Sequence, residues 1–390
     1  MKFENVMKIT QWGYGTGATK VSQYVFVSPA DLVASQVLIY RRTPERKDGY
    51  QRGLSDKRLS KGKLGVPGYL LNQMGIFPTS ILVNVPKEEA VVEFEQKKEF
   101  SENIAIGDLI VPNDATWRIL DGQHRIEGLK IAAREKPELA NYPVIITMTN
   151  EEVFYEMLIF YIVNSRAKSV PTDLAYRILQ RMLYETSAPL WIELELMGRA
   201  NRRKAVAATV VDYLNMKPAS PFKDRIREVG EPLMEDLHVT TDGTLTRYVA
   251  KILQDRIFQD MYDEELADLL ISYWSAIEEL YPNCFKKHKN YALLDTLGLS
   301  SLSSLFPVIF GYCSKDGNVT KESMKKYLEY LLRETPNHKD PDFKKPITET
   351  WWHKTDGPGV IHGTGEGHYS RIAQNFAEKI KLAIAQERQQ

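Results

Sequence analysis

Cysteine is scarce in this chain. Only Cys284 and Cys313 occur in 390 residues, and no Cys-x-x-Cys spacing joins them. A thiolate zinc site or a disulfide framework has nothing to build on, and a reducing, cytoplasmic setting is expected. Net charge is lacking as well, because 51 Lys and Arg balance 51 Asp and Glu. Such a chain is not a bulk polyanion binder, so any nucleic-acid contact must come from local patches. Long uncharged apolar runs are also missing. The longest candidate, Val153 to Val163, falls short of the roughly 20 residues needed to span a bilayer and contains Glu156, so no membrane association is expected. The opening Met1-Lys2-Phe3-Glu4-Asn5 has neither the basic start nor the apolar run of a signal peptide. Internal repeats and low-complexity tracts are absent.

What is present is the composition of an ordinary globular protein, 43% hydrophobic and 26% charged, long enough for two or three domains. Residues 23–40 read as extended and apolar. Residues 41–63 carry nine positive charges against Glu45, Asp48 and Asp56, interspersed with glycine and proline, the pattern of a mobile basic loop. A short helix is expected over Gly68–Met74. Strands are expected over Ile81–Val85, Ala90–Phe94, Leu109–Val111 and Trp117–Leu120. From Gln123 to Arg134 the apolar spacing turns helical. Pro143–Met148 reads as a buried strand, and Thr149-Asn150-Glu151-Glu152 as the cap of an apolar helix over Val153–Val163. Beyond Pro171 the pattern is almost all helix to about residue 335. A Pro-, Lys- and Gly-rich tail follows, with a last helix near Tyr369–Gln386. The expected division is an α/β domain over 1–168, a helical domain over 169–335 and a tail over 336–390.

The chemistry concentrates at Asp121-Gly122-Gln123-His124-Arg125, where a strand ends, a glycine permits a tight turn and a helix begins. The unpaired N–H groups at a helix start favour an anion. Gly122 allows close approach to the backbone. His124 and Arg125 offer charge-assisted donors, and Gln123 can donate or accept. Asp121 can hold a metal-bound water, orient His124 or act as a base. An Asp-Gly turn alone is often merely structural, but five adjacent polar or glycine residues between two apolar elements are harder to explain by packing.

This run resembles the signature of the DGQHR-domain family, which includes the DndB and DpdB proteins encoded with DNA phosphorothioation and 7-deazaguanine insertion systems. The order of boxes around it is similar to the ParB/sulfiredoxin superfamily over roughly residues 20–180. Gln51-Arg52 resembles the first box, and Tyr69 to Val83 the helix–Gly–Pro–strand that follows. Gly122 to Glu127 resembles the central box, and Asn164-Ser165-Arg166 the end of the last. The resemblance implies a ParB/sulfiredoxin-like nucleotide-binding domain in the α/β half. Nucleotide contacts would then fall on Gln51, Arg52, Gly122, Gln123, His124, Arg125 and Asn164. The implied ligand is ATP or another NTP with Mg²⁺, held by Asp121 and Asn164, with Asp121, His124 and Arg125 in catalysis. Two departures matter: the box glutamate is Val163 here, and the sulfiredoxin cysteine is Gln123, which removes sulfinic-acid reduction. Asp121 is the candidate to replace the lost carboxylate.

Further signals lie outside that run. Arg199, Arg202, Arg203 and Lys204 cluster where Gly198 and Asn201 are expected to break a helix. Arg202, Arg203 and Lys204 are the candidate DNA contacts, against the plainer reading of a solvated helix end. Thr241 to Ala250 is read as a capped core helix rather than a recognition helix, and Trp351-Trp352-His353 as an anchor for the tail. The expected function is therefore NTP binding and hydrolysis in a DNA-modification or defence system, with DNA, a DNA-modifying enzyme and a second copy of the chain as partners. A DNA-binding repressor without turnover is the competing reading.

Overall fold

The computed structural model describes residues 1–12, 20–43, 46, 48–51, 53–62, 65–167, 172–184, 190–361 and 365–387, with backbone alone for 12, 164–167, 172–173, 190–198 and 360–361. It divides into two compact units, Met1–Leu196 and Met197–Gln390.

The first unit is built on one mixed sheet. Its strands are β1 (Lys2–Trp12), β2 (Lys20–Pro29), β3 (Val37–Leu38), β4 (Ile81–Asn84), β5 (Glu93–Ser101), β6 (Ile104–Ile110), β7 (Trp117–Asp121) and β8 (Pro143–Thr149), in the spatial order β3-β7-β4-β8-β2-β1-β6-β5. The pairs β3/β7 and β4/β8 are parallel and the others antiparallel. Strand alternation sends Ile81, Val83, Ile146 and Met148 to one face, where they are buried with Ile126, Leu129 and Ala132 of a helix over Gln123–Ala133.

Among the described residues, six α-helices lie in this unit, α1 (Ala30–Gln36), α2 (Asp56–Leu59), α3 (Val66–Asn72), α4 (Gln123–Ala133), α5 (Val153–Ala167) and α6 (Thr172–Tyr184), and a seventh, α7 (Leu190–Met216), begins in it and has most of its length in the second. Two details correct the sequence reading. Residues 30–36 are helical rather than extended, and the strand expected from Ala90 starts at Glu93. A third concerns the cap of α5. Asn150 does not cap that helix but bonds Val85, Ala90 and Val92, pinning the 85–92 loop. The Val153 N–H instead donates to the Glu88 carboxylate at 3.1 Å, so the acid at the helix start comes from 65 residues away.

The second unit is helical. Its core gathers Leu270, Trp274, Leu302, Phe306, Trp352 and Phe376 from helices Asp263–Leu280, Thr296–Lys315 and Glu366–Glu387 and the turn Glu349–Trp352. The stretch from residue 336, set apart in the sequence reading, packs inside this core through Phe343, Trp351 and Trp352. Thr296–Lys315 is the one described helix long and apolar enough to cross a membrane, a run the sequence reading passed over. Leu299, Leu302, Leu305, Phe306 and Ile309 of that helix are buried in the unit's interior. The helix after Thr241, Asp242–Ile252, is a core helix with Thr241 as its cap; Leu245, Tyr248 and Val249 are buried.

Candidate functional site

The β7–α4 turn takes the expected form. Gly122 caps α4 in the left-handed region, with φ at 99°, and a Cβ there would lie 2.5 Å from Ile81 Cδ1. Glycine is thus required twice, by conformation and by space. One residue earlier, β7 carries an irregularity. Val83 pairs with Ile119 and Leu82 with Asp121, so Leu120 is an extra residue in β7. Such a bulge re-aims the side chain that follows it.

The re-aimed Asp121 lines a cavity of about 630 Å³ between the sheet and α5. The sheet contributes Leu82, Thr147, Thr149, Val21 and Gln23, with Thr79 and Ser80 at the entrance to β4. The helix contributes Tyr155, Leu158, Ile159, Ile162 and Val163. The wall is therefore apolar on the helix side and rich in hydroxyls at the Asp121 end. Val163, on the helix side, and Asp121, on the sheet side, both line this cavity.

Arg125 is fixed at that end. Its guanidinium donates to Asp121 Oδ2 at 2.8 Å, to Thr79 O and Oγ1 at 2.7 and 2.5 Å, and to Ser80 O at 3.0 Å. All three partners border the cavity. Burial lowers the Arg125 pKa, and the Asp121 carboxylate opposes that shift. His124 is buried, and its Nε2 accepts the Ser55 N–H at 3.0 Å, so that nitrogen carries no proton. Gln123 opens α4, and its Oε1 is a buried acceptor with no hydrogen-bond partner among the described residues.

Gln51 sits not on an open loop but 1% exposed against β7, donating to the Ile119 carbonyl. Its Oε1 is a second buried acceptor left unpaired among the described residues. Gln51, on Ile119, and Ser55, on His124, both lie against the β7–α4 step. Two boxes far apart in the sequence thereby meet. Arg52 and the side chain of Asn164 lie outside the described residues. Among the described residues no group of three or more His, Cys, Asp or Glu is placed to hold a metal ion. Asp121 is the one carboxylate among the described residues on the cavity wall.

Sequence reasoning missed the polar cluster beneath α5. Glu156, fully buried, accepts from Tyr50 Oη at 2.5 Å, Asn84 Nδ2 at 2.7 Å and Arg118 at 3.2 Å. Arg118 also pairs with Glu89 and lies 4.2 Å from the centre of the Tyr40 ring. Burial raises the Glu156 pKa, against the pull of Arg118 and its hydrogen bonds. The only signal in the sequence was one glutamate in an otherwise apolar helix.

The basic cluster lies on a continuous helix. Gly198 and Asn201 do not break α7, which runs from Leu190 to Met216. One glycine costs a helix about 1 kcal/mol. The fully buried Ala207, Val210, Val211 and Leu214 outweigh it. Arg199 and Arg202 are exposed, and Arg203 and Lys204 half-buried.

A mixed α/β unit with a polar strand–turn–helix step beside a cavity is what the first unit defines. The chain belongs to the DndB family, described as DNA-sulfur modification-associated, whose model matches residues 17–296. The match covers most of the first unit and reaches well into the second. No curated protein and no solved structure matches the chain.

Proposed function

We propose that this member of a DNA-sulfur modification family binds a nucleoside triphosphate, ATP or a close relative, at the β7–α4 turn and hydrolyses it. One observation carries the reading: Arg125 is held by Thr79, Ser80 and Asp121, and all three line the cavity between the sheet and α5, where Asp121 immediately precedes the α4 cap Gly122. A fixed cation, a helix start and hydroxyl groups converge where a phosphate chain would lie. The apolar α5 wall, with Tyr155, offers a surface for a base or sugar. The similarity of this arrangement to the ParB/sulfiredoxin order of boxes supports the same assignment.

In this reading Gly122 lets phosphate oxygens approach the backbone, and Arg125 balances their charge. Asp121 accepts the proton of the attacking water or orients that water through its second oxygen, Oδ1. His124 holds Ser55 against the turn by accepting its backbone N–H. Mg²⁺, which needs only one or two protein carboxylates alongside waters and phosphate oxygens, would supply charge neutralisation with Asp121 as its protein ligand. Calorimetry with a panel of nucleoside triphosphates, with and without Mg²⁺, tests the proposal. Absence of binding by the folded wild-type protein overturns it.

The second reading is a DNA-binding repressor of such a system. The continuity of α7 favours it, because Arg199, Arg202 and Arg203 then fall within about 100° of one helix face at 3.6 residues per turn. Tighter binding to one upstream sequence than to random DNA would select this reading.

A further inference from the structure

The cavity beside Asp121 reaches well beyond the β7–α4 turn. Asp121 stands opposite Leu82, Leu82 opposite Thr147, and Thr149, two residues further along β8, opposite Gln23. Three strand spacings across the sheet and two residues along it separate Asp121 from Gln23 by about 16 Å. That is comparable to the length of an extended nucleoside triphosphate, from its last phosphate to the edge of its base. Gln11 and Gln23 line this far end, and Gln23 Nε2 donates to Gln11 Oε1 at 3.0 Å. The two ends differ in chemistry. Arg125 holds the rim at Thr79, Ser80 and Asp121, whereas the rest of the wall carries no charge among the described residues. The volume, about 630 Å³, lies within the roughly 300–1,000 Å³ of small-molecule sites, which are mostly apolar with a few polar groups that fix orientation.

We propose that the Gln11–Gln23 amide pair reads the base of the bound nucleotide and selects adenine. The assignment rests on nucleotide binding at the β7–α4 turn. With the phosphates held at Arg125, the base of an extended nucleotide reaches the amide pair between the sheet and α5. Val21 on the sheet side and Leu158, Ile159 and Ile162 on the helix side offer it apolar contact. The bond between the glutamines uses one donor and one acceptor, which leaves Gln23 Oε1 and the side-chain N–H groups of Gln11. An amide recognises adenine by accepting from its amino group and donating to a ring nitrogen beside it. Here the two roles fall on two side chains, Gln23 Oε1 for the 6-amino group and Gln11 Nε2 for N1. Their mutual hydrogen bond fixes one against the other. Guanine offers a carbonyl and a ring N–H at these points, so it pairs only after both amides turn over. Neither glutamine is charged, so the pair acts on the choice of base and not on the phosphates.

Calorimetry on the full chain tests this with ATP, GTP, tripolyphosphate and the ATP analogue that has hydrogen in place of the 6-amino group. The wild type should bind ATP about 10-fold or more tightly than the analogue or GTP, the scale of a hydrogen bond whose partner is left unsatisfied. Gln23→Met keeps the length of the side chain and removes the acceptor, so ATP and the analogue should bind it alike. Gln11→Ala, at an exposed position, frees the Gln23 amide to turn over and should narrow the preference for ATP over GTP. Both variants should keep the wild-type affinity for tripolyphosphate, which a misfolded protein would not. Equal wild-type affinity for ATP and the analogue overturns the proposal, and so does a difference that survives in Gln23→Met. Tripolyphosphate bound as tightly as ATP overturns the base assignment alone, whereas failure of every ligand to bind overturns the nucleotide reading with it.

Discussion

Asp121 stands opposite Leu82 across the β4–β7 pair because Leu120 is one residue more than the ladder can pair. Strict alternation from Arg118 would place residue 121 on the opposite face, against α4. The bulge turns its carboxylate to the α5 side, where the cavity is. If that placement serves turnover, Asp121→Asn should leave nucleotide affinity without magnesium nearly unchanged and lower phosphate release by about 10²-fold or more, the scale of general acid–base assistance. Full phosphate release by the asparagine variant under magnesium would rule out the role.

Arg125 ties three cavity residues together, so its removal should weaken binding in two ways, by losing a charge and by loosening Thr79 and Ser80. A hydrogen bond to a charged group contributes about 1.5–3 kcal/mol. Arg125→Ala should therefore reduce affinity by roughly 10- to 150-fold in calorimetry. Arg125→Lys keeps the charge without the planar fork and should recover only part of it. An alanine variant that folds and binds as tightly as the wild type would sink the assignment of this cation to the nucleotide.

Gly122 offers a test of the turn that needs no ligand. Ala at φ 99° is strained, and its Cβ would meet Ile81 Cδ1. Gly122→Ala should lower stability by more than about 1 kcal/mol in urea unfolding, as alanine does where φ is positive. Adding Ile81→Val, which removes Cδ1, should return part of that loss. An unchanged midpoint for Gly122→Ala would mean that the turn is laxer than its geometry implies.

These residues show how far the sequence was legible. The strand, turn and helix around 117–133 could be read because apolar spacing switches from two to 3.6 at a glycine, a local signal. The segments around Gln51 and Gly122 were legible as a motif. Their convergence was not, since it depends on Gln51 bonding Ile119 and Ser55 bonding His124 across 68 and 69 residues. The bulge at Leu120 was hidden for the same reason: register belongs to two strands, and one strand's sequence does not encode it. Strand β1 was missed because half of its residues face out and Lys8 is spread over Phe94, which blurs the alternation. Gly198 misled in the other direction, since burial of the following turns overrides a local propensity worth about 1 kcal/mol.

The Glu156 cluster predicts both a stability loss and a pH slope. Glu156→Ala strands Arg118, Tyr50 and Asn84 without their shared acceptor and should cost about 3–5 kcal/mol, the usual penalty for breaking a buried pair. Replacing Arg118 and Glu156 together by Met should cost less than the single change. The sign of the pH effect follows from the raised pKa. Between the unfolded value, about 4.3, and the higher folded value, the folded chain holds more protons. This group's contribution to stability therefore falls as pH rises through that window and is greatest below it. Glu156→Gln should flatten that part of the profile. Urea midpoints from pH 4 to 8 for both proteins decide the matter, and identical slopes would count against a raised pKa.

The remaining forecast concerns DNA. The chain carries no net charge, so binding, where it occurs, must be local. The two candidate regions are the 41–63 segment and the exposed turn of α7. The first is partly committed already: Lys61 pairs with Glu135, and Arg46 lies over the Tyr40 ring. The α7 turn is freer to meet phosphates, with Arg199 and Arg202 exposed on a continuous helix. Each phosphate neutralised by a cation contributes about 0.9 to the slope of log affinity against log salt. Replacing Arg202, Arg203 and Lys204 together by Ala should therefore weaken binding to all sequences alike. The salt slope should fall by up to about 0.9 for every phosphate that no longer has a cation beside it. A repressor makes a different forecast, with one upstream operator bound about 10³-fold or more tighter than random DNA. Salt-titrated fluorescence anisotropy on both DNAs separates the cases. An unchanged slope in the triple variant would move the contact off α7, and no binding to either DNA at low salt would leave DNA contact to a partner protein.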